Sequence, residues 1–236
     1  AEMVEQAFQA GWGGVVFKTL NSDRLTITHP SPRMHYVNYG GKRAIAYQNV
    51  EQISDRPLRH NLLEFRYLKK HYPDVPIIAS IMGFFEDEWV YLARACEDNG
   101  VDLLELNFSC PHGLPERKMG AAMGQDPDIL EEVCGWVNAV ASKPVWAKMT
   151  PNITDMTEPA LYAKKGGADA ISAINTVRGI SEIGRQDWVP RPNVFGVGAI
   201  SGTSGPAVKP IGLNFIASMA KCRELSLPLS GMGGIE

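Results

Sequence analysis

An α/β fold, a TIM (β/α)8 barrel incomplete at both ends by roughly one unit, is what this sequence predicts on three observations. Short apolar runs alternate with amphipathic segments in six strand-then-helix units, the pattern of a parallel sheet. Polar residues recur where the runs end, at Lys18, Asn107, Lys148, Asn175 and Gly233. Convergence of such groups on the carboxyl ends of many strands marks a barrel rather than an open doubly wound sheet. The chain starts in a helical pattern without an initiator Met and stops at Glu236 just after Gly233-Gly234, so part of a barrel is expected. No linker composition interrupts residues 1–236, which are taken as one barrel domain.

Each element follows from its period. Met3, Val4, Ala7 and Phe8 lie at helical spacing, and Gly11 stops that helix. Val15-Val16-Phe17 then reads as a strand running from 13 to 19. Residues 21–49, punctuated by Pro and Gly, read as a long loop on the active face. Leu58, Leu62, Phe65 and Leu68 place a helix over 57–71. Strands follow over 76–82, 103–109, 145–149 and 170–174, each a short apolar run, with helices over 86–99, 128–141 and 158–165 between them. A loop to about residue 205 precedes a helix over 211–222, and Leu227–Ser230 leads into the Gly-rich turn 231–235.

Composition narrows the function. An apolar fraction of 44% and a formal charge of −3 fit a globular protein and give no electrostatic footprint for nucleic acid or an anionic membrane. No apolar run approaches the ~20 residues that span a bilayer. Cys96, Cys110, Cys134 and Cys222 form no C-x-x-C pair, as in free thiols of a reducing, cytoplasmic compartment.

The chemistry concentrates at Leu103-Leu104-Glu105-Leu106-Asn107-Phe108-Ser109-Cys110-Pro111-His112. Cys96, Cys134 and Cys222, in helical segments, read as small buried hydrophobes. Cys110 instead follows Asn-x-Ser at a strand end and precedes a Gly-rich stretch, a setting for a nucleophile or a proton donor. Cys110-x-His112 has no companion Cys/His cluster, so no metal is expected. Lys18 and Lys148 end apolar strands, where a Lys pairs with a phosphate, steadies an electron-rich ring or forms a Schiff base. Asn107 and Asn175 each offer donors and an acceptor, suiting a planar heterocycle that carries amides. Ser204-Gly205 and Gly231-x-Gly233-Gly234 let backbone approach a ligand, and late barrel loops commonly hold a phosphate on main-chain N–H groups.

These motifs bear a resemblance. Asn107 through Gly113, Glu116-Arg117-x-Met119-Gly120 and Gly124-Gln125-Asp126-Pro127 closely resemble the flavin-dependent dihydropyrimidine dehydrogenases, whose broader relatives are the dihydroorotate dehydrogenases. Lys148 through Asn152, Asn175-Thr176-Val177, Ser204-Gly205, Gly233-Gly234-Ile235 and Gly11 through Thr19 fall in that family's order. The resemblance implies that Lys18, Thr19, Lys148, Gly205, Gly233, Gly234 and Ile235 contact FMN. It implies that Asn107, Ser109, Asn175 and Thr176 hold a pyrimidine, with Cys110 as acid/base. One departure is Gly83-Phe84-Phe85-Glu86, where the family usually has an Asn after the Ile-Ala-Ser-Ile-Met strand.

The expectation is reduction of the C5=C6 bond of uracil or thymine, or the reverse oxidation. Electrons would come from NAD(P) through iron–sulfur clusters of a partner flavin/iron–sulfur subunit or a further domain, and self-association into an oligomer is expected. Oxidation of dihydroorotate, with Cys110 as base, is the alternative within the superfamily. A Schiff-base aldolase on Lys148 would leave Cys110 and the Asn set unexplained, and a partner-docking flavin subunit without activity is the non-enzyme alternative.

Overall fold

The computed structural model describes residues 1–24, 33–40, 43–50, 53–108, 123–191, 193–194, 197–198 and 200–235. Helix α1 (Glu2–Gln9) leads to β1 (Val15–Val16), and then come the hairpin strands β2 (Met34–Tyr39) and β3 (Arg43–Asn49). Helix α2 (Leu58–His71) and β4 (Ile77–Ile81) begin a strict alternation. It continues through α3 (Glu86–Glu97), β5 (Leu103–Asn107), α4 (Pro127–Asn138), β6 (Val145–Lys148), α5 (Thr157–Lys165) and β7 (Ala170–Ala173). Short strands follow: β8 (Val177–Gly179), β9 (Glu182–Ile183), β10 (Pro190–Arg191), β11 (Asn193–Val194), β12 (Val197–Gly198) and β13 (Ser201–Ser204). Helix α6 (Lys209–Lys221) and β14 (Leu229–Gly231) close the succession.

Strands β1, β4, β5, β6, β7 and β14 pair in that order, all parallel. Each neighbouring pair is joined by a crossover that carries a helix. This is the curled parallel sheet of a (β/α)8 barrel, in agreement with the sequence. Alternate side chains of a strand face opposite ways. Ile77, Ala79, Ile81, Leu104, Leu106, Val145, Ala147 and Ile171 therefore share one face, and all join the core formed with the helices. Phe65, Trp89, Leu92, Leu130 and Val133 supply much of the helical side and are almost wholly buried. Each such side chain contributes about 1.5–3 kcal/mol by leaving water.

Local signals fix the helix starts and contacts. Asp126 caps α4 by accepting a hydrogen bond from the Ile129 N–H at 3.4 Å, and Pro127 occupies the first helical position, where its missing N–H costs nothing. Gly166, at the end of α5, packs so closely on α4 that a Cβ there would lie 2.3 Å from the Glu131 carbonyl oxygen.

Two expectations need correction. Residues 21–49 are not simply a loop, because β2 and β3 form a hairpin within them. The stretch up to about 205 contains β8 to β13. Strands β2, β3, β13 and β8 build a separate antiparallel sheet that joins the excursion after β1 to the one after β7. Strands β2 and β3 mix polar and apolar residues, β8 and β13 are only three and four residues long, and the Pro and Gly residues around them read as turn chemistry. Among the described residues, no helix is long and apolar enough to cross a membrane.

Candidate active site at the carboxyl ends of the parallel strands

The face of the parallel sheet turned away from the helices carries a different set of residues. Alternation puts Ser80, Glu105, Asn107, Lys148 and Ser172 there. Barrel interiors are normally filled by branched apolar side chains, so this polar belt is a departure with a purpose. In register, Asn107 is the partner of Lys148, and Lys148 is the partner of Ser172.

A chain of hydrogen bonds links the strand ends. The Thr19 and Ser80 hydroxyls lie 3.0 Å apart, and Asn107 Nδ2 donates to Thr19 Oγ1 at 2.8 Å. Asn175 Nδ2 donates to Asn107 Oδ1 at 3.3 Å, and the Thr176 N–H donates to Asn175 Oδ1 at 2.8 Å. Beside this chain, Lys148 Nζ lies 3.5 Å from Glu105 Oε1, and Ser172 Oγ donates to Glu105 Oε2 at 2.9 Å. Asn152 ties the next loop in: its Nδ2 donates to Thr150 Oγ1 and to the Thr176 carbonyl, while its Oδ1 accepts from the Arg178 N–H at 2.8 Å.

The structure thus gathers Thr19, Asn107, Lys148, Asn175 and Thr176 of the residues the sequence singled out. Gly205, Gly233 and Gly234 form a second cluster, all with positive φ. A Cβ on Gly234 would lie 2.6 Å from the Gly205 carbonyl oxygen and 3.1 Å from the Lys209 N–H nitrogen, so backbone alone fits where α6 begins. Ile235, beside it, is largely exposed. Lys18 is exposed two residues beyond the edge strand β1 and borders a cleft with Val16, Phe17, Arg56, Asn61 and Glu64. Ser109 and Cys110 lie outside the described residues, as do His112, Glu116 and Arg117. On either side of that segment, Gly124 packs on Phe108: a Cβ at Gly124 would meet the Phe108 carbonyl oxygen at 2.3 Å. Gln125 Nε2 donates to the Asn152 carbonyl, fastening the same place.

Glu105 is the residue that sequence reasoning passed over. The signal was present, because a carboxylate inside a buried apolar strand is rare unless it is paired. Cys96 and Cys134 sit in the core as expected. Burial, with a smaller contribution from Glu97, pushes the Cys96 thiol up to about 12, and burial pushes Cys134 up as well. Cys222 follows α6 as its cap and is half-buried, rather than lying within the helix. Among the described residues, no group of three or more His, Cys, Asp or Glu side chains is arranged to hold a metal ion.

Residues 12–236 match the dihydroorotate dehydrogenase family. The chain belongs to that family. It is 46% identical over 244 residues to the chloroplastic dihydropyrimidine dehydrogenase (NADP(+)) of Arabidopsis thaliana, covering 99% of this chain and 57% of that protein. It is 47% identical over 236 residues to the NAD-dependent dihydropyrimidine dehydrogenase subunit PreA of Escherichia coli K12, covering 100% of this chain and 57% of that subunit. The catalytic subunit of dihydroorotate dehydrogenase B (NAD(+)) from Pyrococcus horikoshii is 35% identical over 234 residues, covering 99% of this chain and 70% of that protein. The chain therefore spans 57% of the length of both dihydropyrimidine dehydrogenase relatives. In this chain Asn107, Lys148, Asn175 and the Gly cluster lie at the carboxyl ends of the parallel strands, where barrels keep their chemistry.

Proposed function

We propose that residues 1–236 are the FMN-binding barrel of an enzyme that reduces the C5=C6 bond of uracil or thymine, or runs the reverse oxidation. The observation that carries this reading is the run of side-chain contacts Ser80–Thr19–Asn107–Asn175, which crosses the inner face of the sheet from β4 and the segment after β1 to the ends of β5 and β7. Two linked carboxamides present both donors and acceptors to a planar ring that has amide groups on its edge. The 46–47% identity to two dihydropyrimidine dehydrogenases along the whole chain supports the pyrimidine base over dihydroorotate, whose relative stands at 35%.

The residues present fit the cofactor. Gly205, Gly233 and Gly234 bring bare backbone together at the start of α6, where added side chains would meet Tyr47, Ile174 and the Gly205 carbonyl, and helix N-termini favour a phosphate. Lys148 would donate to the flavin ring from the inner face, with Lys18 and Thr19 approaching from the segment just after the edge strand and Ile235 from beyond the Gly turn. When bound, the flavin supplies the hydride chemistry that no side chain can. Asn107, Ser109, Asn175 and Thr176 hold the base, and Cys110 supplies the proton at C5 from the opposite side. A positioned acid of this kind is worth roughly 10²–10⁴-fold in rate. Electron supply from NAD(P) through iron–sulfur clusters is assigned to a partner chain or a further domain. The E. coli relative is itself named a subunit.

Stopped-flow oxidation of reduced flavin by uracil, thymine and orotate in the full-length protein tests the reading. Cys110→Ala is expected to keep FMN and bind uracil while turnover falls by about 10²-fold or more. Unchanged flavin oxidation in that variant removes the cysteine from the mechanism, and orotate as the only competent substrate moves the enzyme to dihydroorotate chemistry.

A further inference from the structure

Glu105 has no task in the reaction just described, yet its burial is costly. It is 1% exposed in the middle of a parallel strand. Replacing such a buried ion pair by apolar packing is often neutral or stabilising, so stability alone gives a weak reason to have it. Its two oxygens are used separately, Oε1 facing Lys148 Nζ at 3.5 Å and Oε2 accepting from Ser172 Oγ at 2.9 Å. Ser172 thereby fixes the carboxylate, and the carboxylate has one oxygen left for the amine. Lys148 is itself only 15% exposed, on a flexible four-carbon stem that would otherwise sample many rotamers. In register it stands between Asn107, in the recognition chain, and Ser172. A part-buried ammonium without a counter-charge is penalised and swings toward water.

We propose that Glu105, oriented by Ser172, is a positioning residue that holds the Lys148 amine aimed along the inner face of the sheet. The inference rests on the reading of Lys148 as a flavin contact. Glu105 touches neither cofactor nor substrate and acts only through Lys148, so its effects must vanish when Lys148 is removed.

The experiment is a double-mutant cycle on the full-length protein with E105Q, K148M and E105Q/K148M, plus S172A. Gln keeps the size of Glu and an acceptor for Ser172 while removing the charge. FMN dissociation constants come from fluorescence titration and midpoint potentials from reductive titration. E105Q is expected to weaken FMN binding on the order of tenfold, as for other partners that orient a ligand-binding side chain. It should also displace the flavin potential, while the double variant matches K148M in both quantities, because effects passed through one side chain do not add. S172A should move binding and potential in the same direction as E105Q by a smaller amount, which keeps the test open if E105Q fails to fold. A second readout uses the flavin-free protein: acetylation of Lys148 by acetic anhydride, scored by mass spectrometry against exposed Lys143, should rise several-fold in E105Q. Additive effects in the cycle, or wild-type binding together with unchanged Lys148 acetylation in E105Q, overturn the proposal. If the wild-type protein takes no flavin, the proposed function fails, and the acetylation ratio still decides whether Glu105 holds the amine.

Discussion

The parallel sheet and the antiparallel sheet beside it are held by different forces. In the first, alternate side chains of the inner strands vanish into a core shared with the helices, with Leu104, Leu106, Ala147 and Ile171 fully buried. In the second, the most telling buried group is polar. Gln48 donates to Thr203 Oγ1 at 2.6 Å, and the Ser201 hydroxyl bonds Gln48 Oε1 and the Gly179 carbonyl, linking β3, β13 and β8 side by side. Met34, Tyr36, Ile180, Ile183 and Trp188 in or beside this sheet remain exposed. Apolar burial gives the barrel its stability, whereas a few directional bonds shape the sheet beside it. Regions of the second kind open locally at lower free energy than the core.

The largest expected effect breaks the barrel side of that contrast. Leu106→Ala removes a fully buried side chain from the middle of the core and should cost about 2–5 kcal/mol. Urea unfolding should show the whole transition moving to lower denaturant, with hydrogen exchange accelerated in both sheets. A loss below about 1 kcal/mol would mean that the core collapses around the site more readily than close packing allows.

The next effect lies where the sheet meets its strand-end face. Gly124→Ala forces a Cβ toward the Phe108 carbonyl oxygen, and backbone on both sides must shift. Overpacking of this kind costs about 3 kcal/mol at the upper end. The displacement falls next to Asn107, so pyrimidine affinity measured by calorimetry should drop along with the melting temperature. Normal affinity in a destabilised variant would separate the fastening of Phe108 from the site.

Gln48→Ala isolates the antiparallel sheet. Losing its two bonds and leaving Ser201 and Thr203 short of partners should cost about 2 kcal/mol. Amide exchange should quicken in β3, β8 and β13 and stay at wild-type rates in β4 to β7. Equal acceleration in both sheets would show that they unfold as one unit.

The same contrast explains what could be read from the sequence. The parallel strands were legible because each is a short apolar run and each helix has its own period, and Asp126-Pro127 announces α4 by itself. Lys18, Asn107, Lys148 and Asn175 were legible as polar groups at run ends, whereas Thr19 entered only through the family resemblance. The antiparallel sheet was not, because Gln48 meets Thr203 across 155 residues and no local pattern encodes that pairing. Glu105 stood out as a carboxylate in an apolar run, but its pairing was hidden for the same reason. Its partners lie 43 and 67 residues away, so only the sheet register turns an odd carboxylate into half of an ion pair.

The smallest expected effect uses the two buried thiols as reporters of the barrel side. Cys96 in α3 and Cys134 in α4 are fully buried, and burial raises both thiols, Cys96 from 9.0 to about 12. The folded state therefore keeps these thiols neutral at pH values where the unfolded chain has already ionised them. Their contribution to stability is complete below the unfolded value near 9 and is lost as pH rises from there through the folded value. At pH 9.5 the loss is about 1 kcal/mol per thiol. Urea midpoints at pH 7.5 and 9.5 should thus differ in the wild-type protein, and Cys134→Ala should remove roughly half of that thiol-dependent difference. Iodoacetamide applied to the native protein at pH 9.5 should label half-buried Cys222 well before Cys134, because the thiolate is the nucleophile and Cys134 ionises only when α4 leaves the core. Labelling of Cys134 at the rate of Cys222 would mean that the helical layer opens as easily as the polar sheet, and the distinction between the two regions would fall.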